Sequence, residues 1–557
     1  MQSSQLGDAD ALWLLALALL VSCGGTTEPR TADTRTVEIT ASADTLTFLG
    51  QQQILGLTVK NAAGDPVTPS NVTWASRAPA IVSVDATGTV QARANGEATI
   101  VVTAETATDS IVMTVAQEAA NITISGVDTV FALGVHARLT ARAVDAGGSD
   151  YTLEPLRWSS GDEATVTVDQ QGRVLPLAAG LVGITVSAGD FQSVHLLAIE
   201  DAIPLEVGTA LADSLQFVLE DVSSANGVIG VQGAVIIPGT GTWVGVFGRS
   251  GEATVMRPDM AVPIGSVAKT VISGLVLHLV DQGLLSLDDT VGDLLPPFTN
   301  PNVTPGATVR QLLQNTSGIA SYSSAPGFVD SLLVDRNRVW TPAEVVETFV
   351  TAAEFSPGAT WKSSNTGYLL GGMIAEAVTG QSLPDLYASE IYGPLGLQEI
   401  FLKDSEPARA TTSETWNGPA GGPFENFTDL YDGPSFSTGL WPLGNLVVNA
   451  RTLASWGEGL FGDFLSPAVR NEMLTAVPDD GRIPNEVGAG IGVRKFDFLQ
   501  RTQWGHSGTV YNGSGFLLYD EASGIVVALV YNQPGGSHSN SHFTLVSEML
   551  RLALAGN

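Results

Sequence analysis

The sequence is poor in cysteine and in positive charge. It has a single Cys, and its 25 Lys and Arg residues stand against 57 Asp and Glu, which gives a formal net charge of −32. One cysteine excludes an intramolecular disulfide framework, so the folded domains depend on their apolar cores. The negative charge, with no run rich in Lys or Arg, argues against nucleic-acid binding because such a surface repels phosphates.

Motifs for metals and cofactors are also missing. No group of His, Cys and Asp has the spacing of zinc ligands, and no glycine-rich phosphate loop follows a strand pattern. We therefore expect neither a metal nor a cofactor. A chain of 557 residues is nevertheless too long for one hydrophobic core, so several domains are expected.

The one cysteine, Cys23, ends a short apolar segment. Residues 12–21 are too few to span a bilayer as a helix, and Leu20-Val21-Ser22-Cys23 resembles the lipobox of bacterial lipoproteins, whose cysteine becomes the lipidated N-terminus. We expect a signal peptide over 1–22, a tether over 23–36, and a lipid anchor at the periplasmic face of the outer membrane or at the cell surface. The first ten residues depart from this pattern because they are acidic and lack Lys and Arg. The alternative is a buried Cys in a short core helix.

A repeat without gaps follows at an offset of 84 residues, for example from Trp74 to Trp158. Its shared positions are mostly turn glycines and apolar residues: Leu55, Gly64, Val84, Asp85, Gly88, Val90, Gly96, Ile100 and Val102 recur as Leu139, Gly148, Val168, Asp169, Gly172, Val174, Gly180, Ile184 and Val186. Short β-branched runs separated by tight turns predict strands.

We therefore predict that each copy folds as a small all-β sandwich with its Trp buried between the sheets. The first sandwich covers 37–117 and the second 120–200. The pattern resembles group 2 bacterial immunoglobulin-like domains. A spacer role is favoured over a binding role, because the distinctive residues are turn glycines and core apolars. An adhesin that works through the two repeats is the alternative.

Longer helical segments mixed with strands begin near residue 205 and continue to 557, after a linker predicted near 201–204. The pattern predicts a helix over 205–221 and hairpins over 228–248 and 513–531. A closing helix is predicted over 543–555. These elements indicate an α/β domain.

One motif in this domain carries chemistry. Only one of the five lysines, Lys269, has a serine three residues before it, Ser266. Ser-x-x-Lys on a helix puts the hydroxyl and the amine one turn apart on the same face. A serine needs a base, and a lysine serves as one only when burial or a neighbouring cation lowers its pKa. The motif alone is a weak signal, since an N-capping Ser and a surface Lys give the same pattern.

The surrounding sequence resembles the β-lactamase-related serine hydrolases, a family that includes class C β-lactamases, D-alanyl-D-alanine carboxypeptidases and certain esterases. Similar segments occur at 283–289, 308–313, 315–318, 393–397 and 444–454. The resemblance implies an antiparallel sheet flanked by helices, with a helical subdomain. The family commonly has His where Asn315 stands, and we interpret Asn315 as a structural hydrogen-bonding residue in a turn.

The resemblance also implies the remaining site residues. Ser363-x-Asn365 occupies the place where the family usually has Tyr-Ser-Asn, so Ser363 is expected to replace the tyrosine as proton relay and Asn365 to orient the lysine and the substrate. His506-Ser507-Gly508-Thr509 corresponds to the family's Lys/His-Thr-Gly strand. There His506 is expected to bind a substrate carboxylate and tune the lysine, while Ser507, Gly508 and Thr509 contact substrate. The backbone N–H groups of Ser266 and Thr509 are the expected oxyanion hole.

The sequence thus predicts an exported serine hydrolase that forms an acyl-enzyme through Ser266. An amide, a β-lactam, a D-alanyl peptide such as one from peptidoglycan, or an ester all remain open as substrates. The only membrane contact expected is the lipid anchor, and the oligomeric state is left open. The alternative is a surface-anchored binding protein whose hydrolase-like domain is inactive.

Overall fold

The computed structural model describes residues 35–152, 155–203, 206–252, 254–417, 425–481, 483–535 and 539–556. The expected signal peptide and Cys23 lie outside these residues, as does all but the end of the expected tether. No helix in the described ranges has both the length and the apolar character needed to cross a membrane. The chain forms two compact units, one from described residues of 35–121 and 143–152, the other from those of 122–142 and 155–556.

The first repeat folds as short strands in antiparallel and mixed sheets. One sheet has the order Thr45–Leu46, Ala107–Val115, Gly96–Ala104 and Val72–Ser76, a second has the order Gln52–Ile54, Thr89–Ala92 and Val82–Val84, and Thr36–Thr40 pairs with Gly56–Lys60. The strand Gly96–Ala104 buries alternate residues, as expected for a strand with one face on the core.

The second repeat has the same order of strands. Val166–Val168, Arg173–Pro176 and Gly180–Ala188 begin and end 84 residues after Val82–Val84, Thr89–Ala92 and Gly96–Ala104. The remaining strands are Asn121–Gly126, Thr129–Ala132, Ala137–Val144, Arg157–Ser160 and Phe191–Ile203. The last of these runs through most of the linker predicted near 201–204, because it pairs in parallel with Thr129–Ala132 as far as Ile203.

The two tryptophans differ in burial. Trp158 is buried, as predicted, but Trp74 is only partly buried, so the prediction is wrong for the first copy. Each indole lies over a turn glycine with positive φ, and a Cβ on Gly88 or Gly172 would stand 2.9 or 3.0 Å from the ring. The glycine is therefore needed both for the turn and for the close approach of the ring.

An antiparallel sheet forms the centre of the hydrolase-like domain, as predicted. Its strand order is Gly241–Gly248, Gly230–Ile237, Val526–Tyr531, Gly513–Asp520, Arg501–Val510, Arg494–Phe498 and Glu486–Ala489. The helices Thr209–Ala225 and Ser539–Ala555 pack against each other and bury Leu215 and Met549 in one core with the sheet residue Phe516. A second, larger core lies with Ala268–Asp281 and the helical subdomain.

The helical subdomain is built from helices that lie, along the sequence, between the N-terminal strands and the C-terminal strands of the sheet. Helices in the domain besides those named above are Val291–Leu294, Val309–Leu313, Phe328–Val334, Pro342–Phe349, Asn365–Thr379, Leu383–Leu386, Gly393–Leu395, Thr428–Tyr431, Pro434–Gly439, Ala450–Phe461 and Pro467–Met473, with 3₁₀ turns at Gly265–Val267 and Tyr322–Ser324 and a π-helical turn at Tyr387–Tyr392. Short strands at Val262–Pro263, Ile400–Leu402 and Leu446–Val448 form a small sheet, and Trp416–Asn417 pairs with Glu425–Asn426.

The helix Ala268–Asp281 is buried almost all round, in accord with its run of apolar residues. It packs against Asn365–Thr379, and the indole of Trp456 fills the space beside Gly274, 2.6 Å from where a Cβ would stand. The Trp456 Nε1–H donates to Thr270 Oγ1 at 2.9 Å. These contacts fix the helix that carries the Ser-x-x-Lys motif.

Candidate active site

Ser266 and Lys269 lie together at the start of this helix. Ser266 is in the 3₁₀ turn Gly265–Val267, and Lys269 is in the first turn of the helix that follows. A hydrogen bond of 3.0 Å joins Lys269 Nζ to Ser266 Oγ. Ser266 is partly open to solvent, whereas Lys269 is only 3 % exposed. The Ser266 hydroxyl is therefore on the solvent-facing side, and the Lys269 amine lies on its buried side.

The surroundings of Lys269 favour its neutral form. Burial, with a smaller contribution from the positive charge of Arg494, lowers the pKa of Lys269 to about 7. The ammonium lies over the ring of Tyr368, 5.2 Å from its centroid. Near neutral pH a large share of the lysine is thus uncharged and able to accept a proton.

Arg494, which sequence reasoning missed, forms a buried ion pair with Glu486. The two side chains are 6 % and 1 % exposed. The guanidinium also lies 4.5 Å from the ring centroid of Trp361. Burial raises the pKa of Glu486, and the positive charge of Arg494 opposes this rise. Glu486 lies only eight residues away on the neighbouring strand, but Trp361 and Lys269 come from distant segments, so the local sequence does not signal the effect of Arg494 on Lys269.

His506 does not have the position that the resemblance implied. It is buried, and its Nδ1 lies 2.5 Å from the Ser507 carbonyl oxygen, while Nε2 has no partner among the described residues. Burial and the charges of Arg494 and Lys269 hold its pKa well below the usual value. A neutral, buried imidazole is not placed to bind a substrate carboxylate, because the ring does not reach the cavity wall.

A cavity of about 310 Å³ opens beside Ser266. Of the predicted site residues, Ser266, Asn365 and Thr509 line it, whereas Ser363, His506, Ser507 and Gly508 do not. The described residues that line it carry no charged side chain. They are Gly265, Ser266, Tyr322, Ser323, Asn365, Leu440, Leu443, Gly444, Thr509, Val510, Tyr511 and Pro534.

Ser363 is exposed, and the reason lies in the backbone. Ser364 is extended, with φ −138° and ψ 123°, and its side chain is buried. Successive side chains of an extended chain point to opposite sides, so Ser363 faces solvent. The structure therefore does not bring Ser363 to the nucleophile.

Asn365 reaches the cavity but has a different partner from the one expected. Its Nδ2 donates to Ser323 Oγ at 2.8 Å, and its backbone N–H donates to Ser321 Oγ at 3.1 Å. Asn365 thus holds the loop of residues 320–323 against the start of its own helix. Its hydrogen bonds connect it to this loop and not to Lys269.

The strand that contains Thr509 packs tightly on the nucleophile turn. A Cβ on Gly508 would lie 2.2 Å from the Ile264 carbonyl oxygen and 2.7 Å from the Ser266 nitrogen. A Cβ on Gly265, whose φ is +53°, would lie 2.8 Å from the Thr509 nitrogen. The two glycines bring the backbone N–H groups of Ser266 and Thr509 to the same end of the cavity. Gly508 lies at this packing contact and is not among the residues that line the cavity.

Asn315 is a structural residue, as predicted. It has φ +60°, its Nδ2 donates to Tyr368 Oη at 3.1 Å, and its Oδ1 accepts from the Ser364 N–H at 3.0 Å. Tyr368 Oη in turn donates to the Leu313 carbonyl oxygen at 2.8 Å. Asn315 thereby fixes the ring beneath Lys269. Within the described ranges, no group of three or more His, Cys, Asp or Glu side chains is arranged to hold a metal ion.

Comparison with known families agrees with this geometry. Residues 209–548 match the beta-lactamase family model, which is more than half of the chain. The chain belongs to the β-lactamase family. Residues 34–115 match the group 2 bacterial Ig-like domain, so this family member carries at least one such module ahead of its hydrolase domain.

Relatives place this β-lactamase family member among serine hydrolases. Penicillin-binding protein 4 of Amycolatopsis lactamdurans is 28 % identical over 327 residues, covering 56 % of this chain and 81 % of that protein. A D-stereospecific amidohydrolase from Streptomyces sp. is similar with a TM-score of 0.52 and 27 % identity over 62 % of this chain and 98 % of its own. D-amino acid amidase from Ochrobactrum anthropi SV3 has a TM-score of 0.54 and 25 % identity over 62 % and 99 %. The chain is a serine hydrolase of this fold.

Proposed function

We propose that this hydrolase forms an acyl-enzyme through Ser266, with neutral Lys269 as the base. The observation that carries the proposal is the 3.0 Å hydrogen bond between the two side chains, combined with a lysine pKa of about 7. Lys269 takes the hydroxyl proton as Oγ attacks a carbonyl carbon. The bond to the leaving group then breaks, and water cleaves the resulting ester to regenerate the serine.

The backbone N–H groups of Ser266 and Thr509 are proposed to bind the negative oxygen of the tetrahedral intermediate. Gly265 packs against Thr509, and Gly508 packs against Ser266. No side chain therefore separates the two backbone segments, which supports the proposal. Two fixed N–H donors stabilise developing charge without any rearrangement during the reaction.

The substrate proposed is a small amide or ester whose acyl part carries one apolar group and no carboxylate. Leu440, Leu443 and Val510 supply an apolar wall, and the other lining side chains are neutral. The names of the two similar solved structures favour D-amino acid amides within this class. A substrate that ends in a carboxylate is less well suited, because His506 is neutral and lies away from the cavity.

The test compares substrates and labels on the full chain. D-phenylalanine amide, L-phenylalanine amide, p-nitrophenyl butyrate, a D-alanyl-D-alanine peptide and nitrocefin are assayed with wild type and Ser266→Ala. We expect turnover of the ester and of the D-amide, with a fluorophosphonate label that Ser266→Ala abolishes. Faster cleavage of the D-alanyl peptide or of nitrocefin than of the other substrates would overturn the substrate class while leaving the nucleophile in place.

A binding protein without turnover is the second candidate. It predicts that neither a fluorescent penicillin nor a fluorophosphonate labels Ser266, or that the penicillin labels it once without release. Steady turnover of any substrate that depends on Ser266 rules this candidate out.

We also propose that the protein is exported and anchored through a lipid on Cys23, with the Ig-like repeats as a spacer and peptidoglycan fragments within reach. The lipobox-like Leu20-Val21-Ser22-Cys23 supports this. Metabolic labelling with a clickable palmitate analogue in a bacterial host is expected to mark wild type and not Cys23→Ala. Absence of label on wild type, or label retained by the variant, would refute the anchor.

A further inference from the structure

Breaking an amide or alkyl ester bond needs a proton on the leaving group, since an alkoxide or an amide anion is a very poor leaving group. Ser363, the residue expected to relay this proton, is exposed and lies outside the cavity. Lys269 has already accepted the proton of Ser266 at this stage of the proposed reaction. Another donor must therefore come from the lining of the cavity.

Tyr322 places a buried phenol in the wall of this cavity. The side chain is fully buried, it lines the same cavity as Ser266, and its hydroxyl has no hydrogen-bond partner among the described residues. A buried hydroxyl without a partner is destabilising. Tyr387 and Tyr392 share this feature, but of these three phenols only Tyr322 lines the cavity. Ser364 also has a buried, unpartnered hydroxyl, but it does not line the cavity.

The loop that carries Tyr322 is fixed by the residues of the second motif. The Tyr322 backbone N–H donates to Thr366 Oγ1 at 2.9 Å, and Asn365 bonds both Ser321 and Ser323 on either side of it. The ring packs edge-on against Phe328, with centroids 5.2 Å apart. Because hydrogen bonds fix the loop on both sides of Tyr322, the phenol is held in position at the cavity.

We propose that Tyr322 is the general acid that protonates the leaving group, in a reaction that rests on the proposed acyl transfer. As the tetrahedral intermediate collapses, the bond from carbon to the leaving nitrogen or oxygen breaks, and that atom takes the phenolic proton. The phenolate recovers a proton from the Lys269 ammonium, directly or through water in the cavity. The proton that left Ser266 thus ends on the leaving group, and both side chains return to their starting forms.

The protonation state of Tyr322 suits a donor. Burial raises its pKa well above the usual value, with a further rise from the neighbouring Tyr511. The phenol therefore stays protonated throughout the neutral range and is available whenever Lys269 is neutral. Tyr511 also lines the cavity, but it is only partly buried and stacks on Tyr431.

The test uses the full chain and a series of butyrate esters: p-nitrophenyl, phenyl and ethyl. The first leaving group departs as a stable anion and needs no proton, whereas the last depends on one. For Tyr322→Phe we expect kcat/KM to fall by about 100-fold or more for ethyl butyrate and by less than about threefold for the p-nitrophenyl ester. Tyr387→Phe is the matched control, because Tyr387 is also buried with an unpartnered hydroxyl and lies outside the cavity.

The outcomes separate the two proposals. An equal fall for all three esters, or no fall for any, overturns the role of Tyr322 while the acyl-enzyme proposal stands. The same graded loss in Tyr511→Phe, with Tyr322→Phe unaffected, assigns the proton to Tyr511 instead. If wild type cleaves none of the esters and Ser266 takes no label, acyl transfer itself fails and the role of Tyr322 fails with it. Urea unfolding is expected to show that Tyr322→Phe is at least as stable as wild type, because the variant loses no hydrogen bond and removes a buried hydroxyl that has no partner.

Discussion

Arg494 and Glu486 form an ion pair almost fully removed from water, and the charge of Arg494 acts on Lys269. Arg494→Met combined with Glu486→Gln removes the pair without leaving one buried charge alone. The pKa of Lys269 is expected to rise by about one unit, because burial, the larger cause, remains. The acid limb of the kcat/KM profile with p-nitrophenyl butyrate should move to higher pH by the same amount.

Arg494→Lys provides the control for this prediction, since it keeps the positive charge and the pairing with Glu486. Its acid limb is expected to stay near that of wild type. An unshifted limb in the double variant would mean that Arg494 does not influence the pKa of the base.

Lys269 is expected to destabilise the fold at neutral and acidic pH. Its pKa is about 7 in the folded chain and 10.5 for a lysine exposed to water, so between these values the unfolded chain binds more protons and stability rises with pH. Below pH 7 the penalty is complete, at most about 5 kcal/mol by the conversion of 1.36 kcal/mol per pKa unit. Lys269→Met should therefore be inactive yet more stable than wild type at pH 6, and this advantage should shrink by pH 10.

Urea unfolding at the two pH values measures this difference. Lys362→Met, at an exposed lysine that pairs with Glu354, shows what loss of a surface lysine does. A Lys269→Met protein that is less stable than wild type at pH 6 would contradict the expected burial penalty.

Gly508→Ala tests the packing of the strand on the nucleophile turn. The new Cβ would lie 2.2 Å from the Ile264 carbonyl oxygen, so backbone must move. We expect a loss of about 3 kcal/mol in the free energy of unfolding and no fluorophosphonate label on Ser266. Gly306→Ala, where a Cβ meets nothing within 4 Å, should leave both unchanged. Full labelling of Gly508→Ala would show that the oxyanion site tolerates a wider gap.

Asn315→Ala tests the residue that replaces the family's histidine. The variant loses the bonds to Tyr368 Oη and to the Ser364 N–H, and it leaves a residue with a Cβ at φ +60°. We expect about 2 kcal/mol lower free energy of unfolding by urea. Asn485→Ala has a similar φ of +62° at an exposed position and should lose much less. Equal losses in the two variants would mean that backbone strain alone explains the effect.

Local sequence was sufficient for the parts of the fold and site that depend on local geometry. Ser266 and Lys269 meet because they are three residues apart on one helix, and the 84-residue repeat fixed the strands of the second sandwich. The expectation that Ser363 lies at the nucleophile was wrong, because a sequence motif does not determine the direction of a side chain. Here the extended backbone at Ser364 turns the Ser363 side chain toward solvent. Arg494 and Tyr322 could not be predicted from the sequence. Only the folded chain brings Arg494 near Lys269 and Tyr322 to the wall of the cavity.

The mutual packing of Gly265 and Gly508 has a consequence for biosynthesis. Of the two backbone N–H groups proposed to bind the oxyanion, one belongs to the 3₁₀ turn Gly265–Val267 and the other to the strand Arg501–Val510. A ribosome therefore delivers the nucleophile long before it delivers the partner that makes it effective. A shortened product that ends between Lys269 and Gly508 carries the nucleophile and the base but lacks the proposed donor of Thr509. We therefore expect activity only when synthesis of the domain is nearly finished.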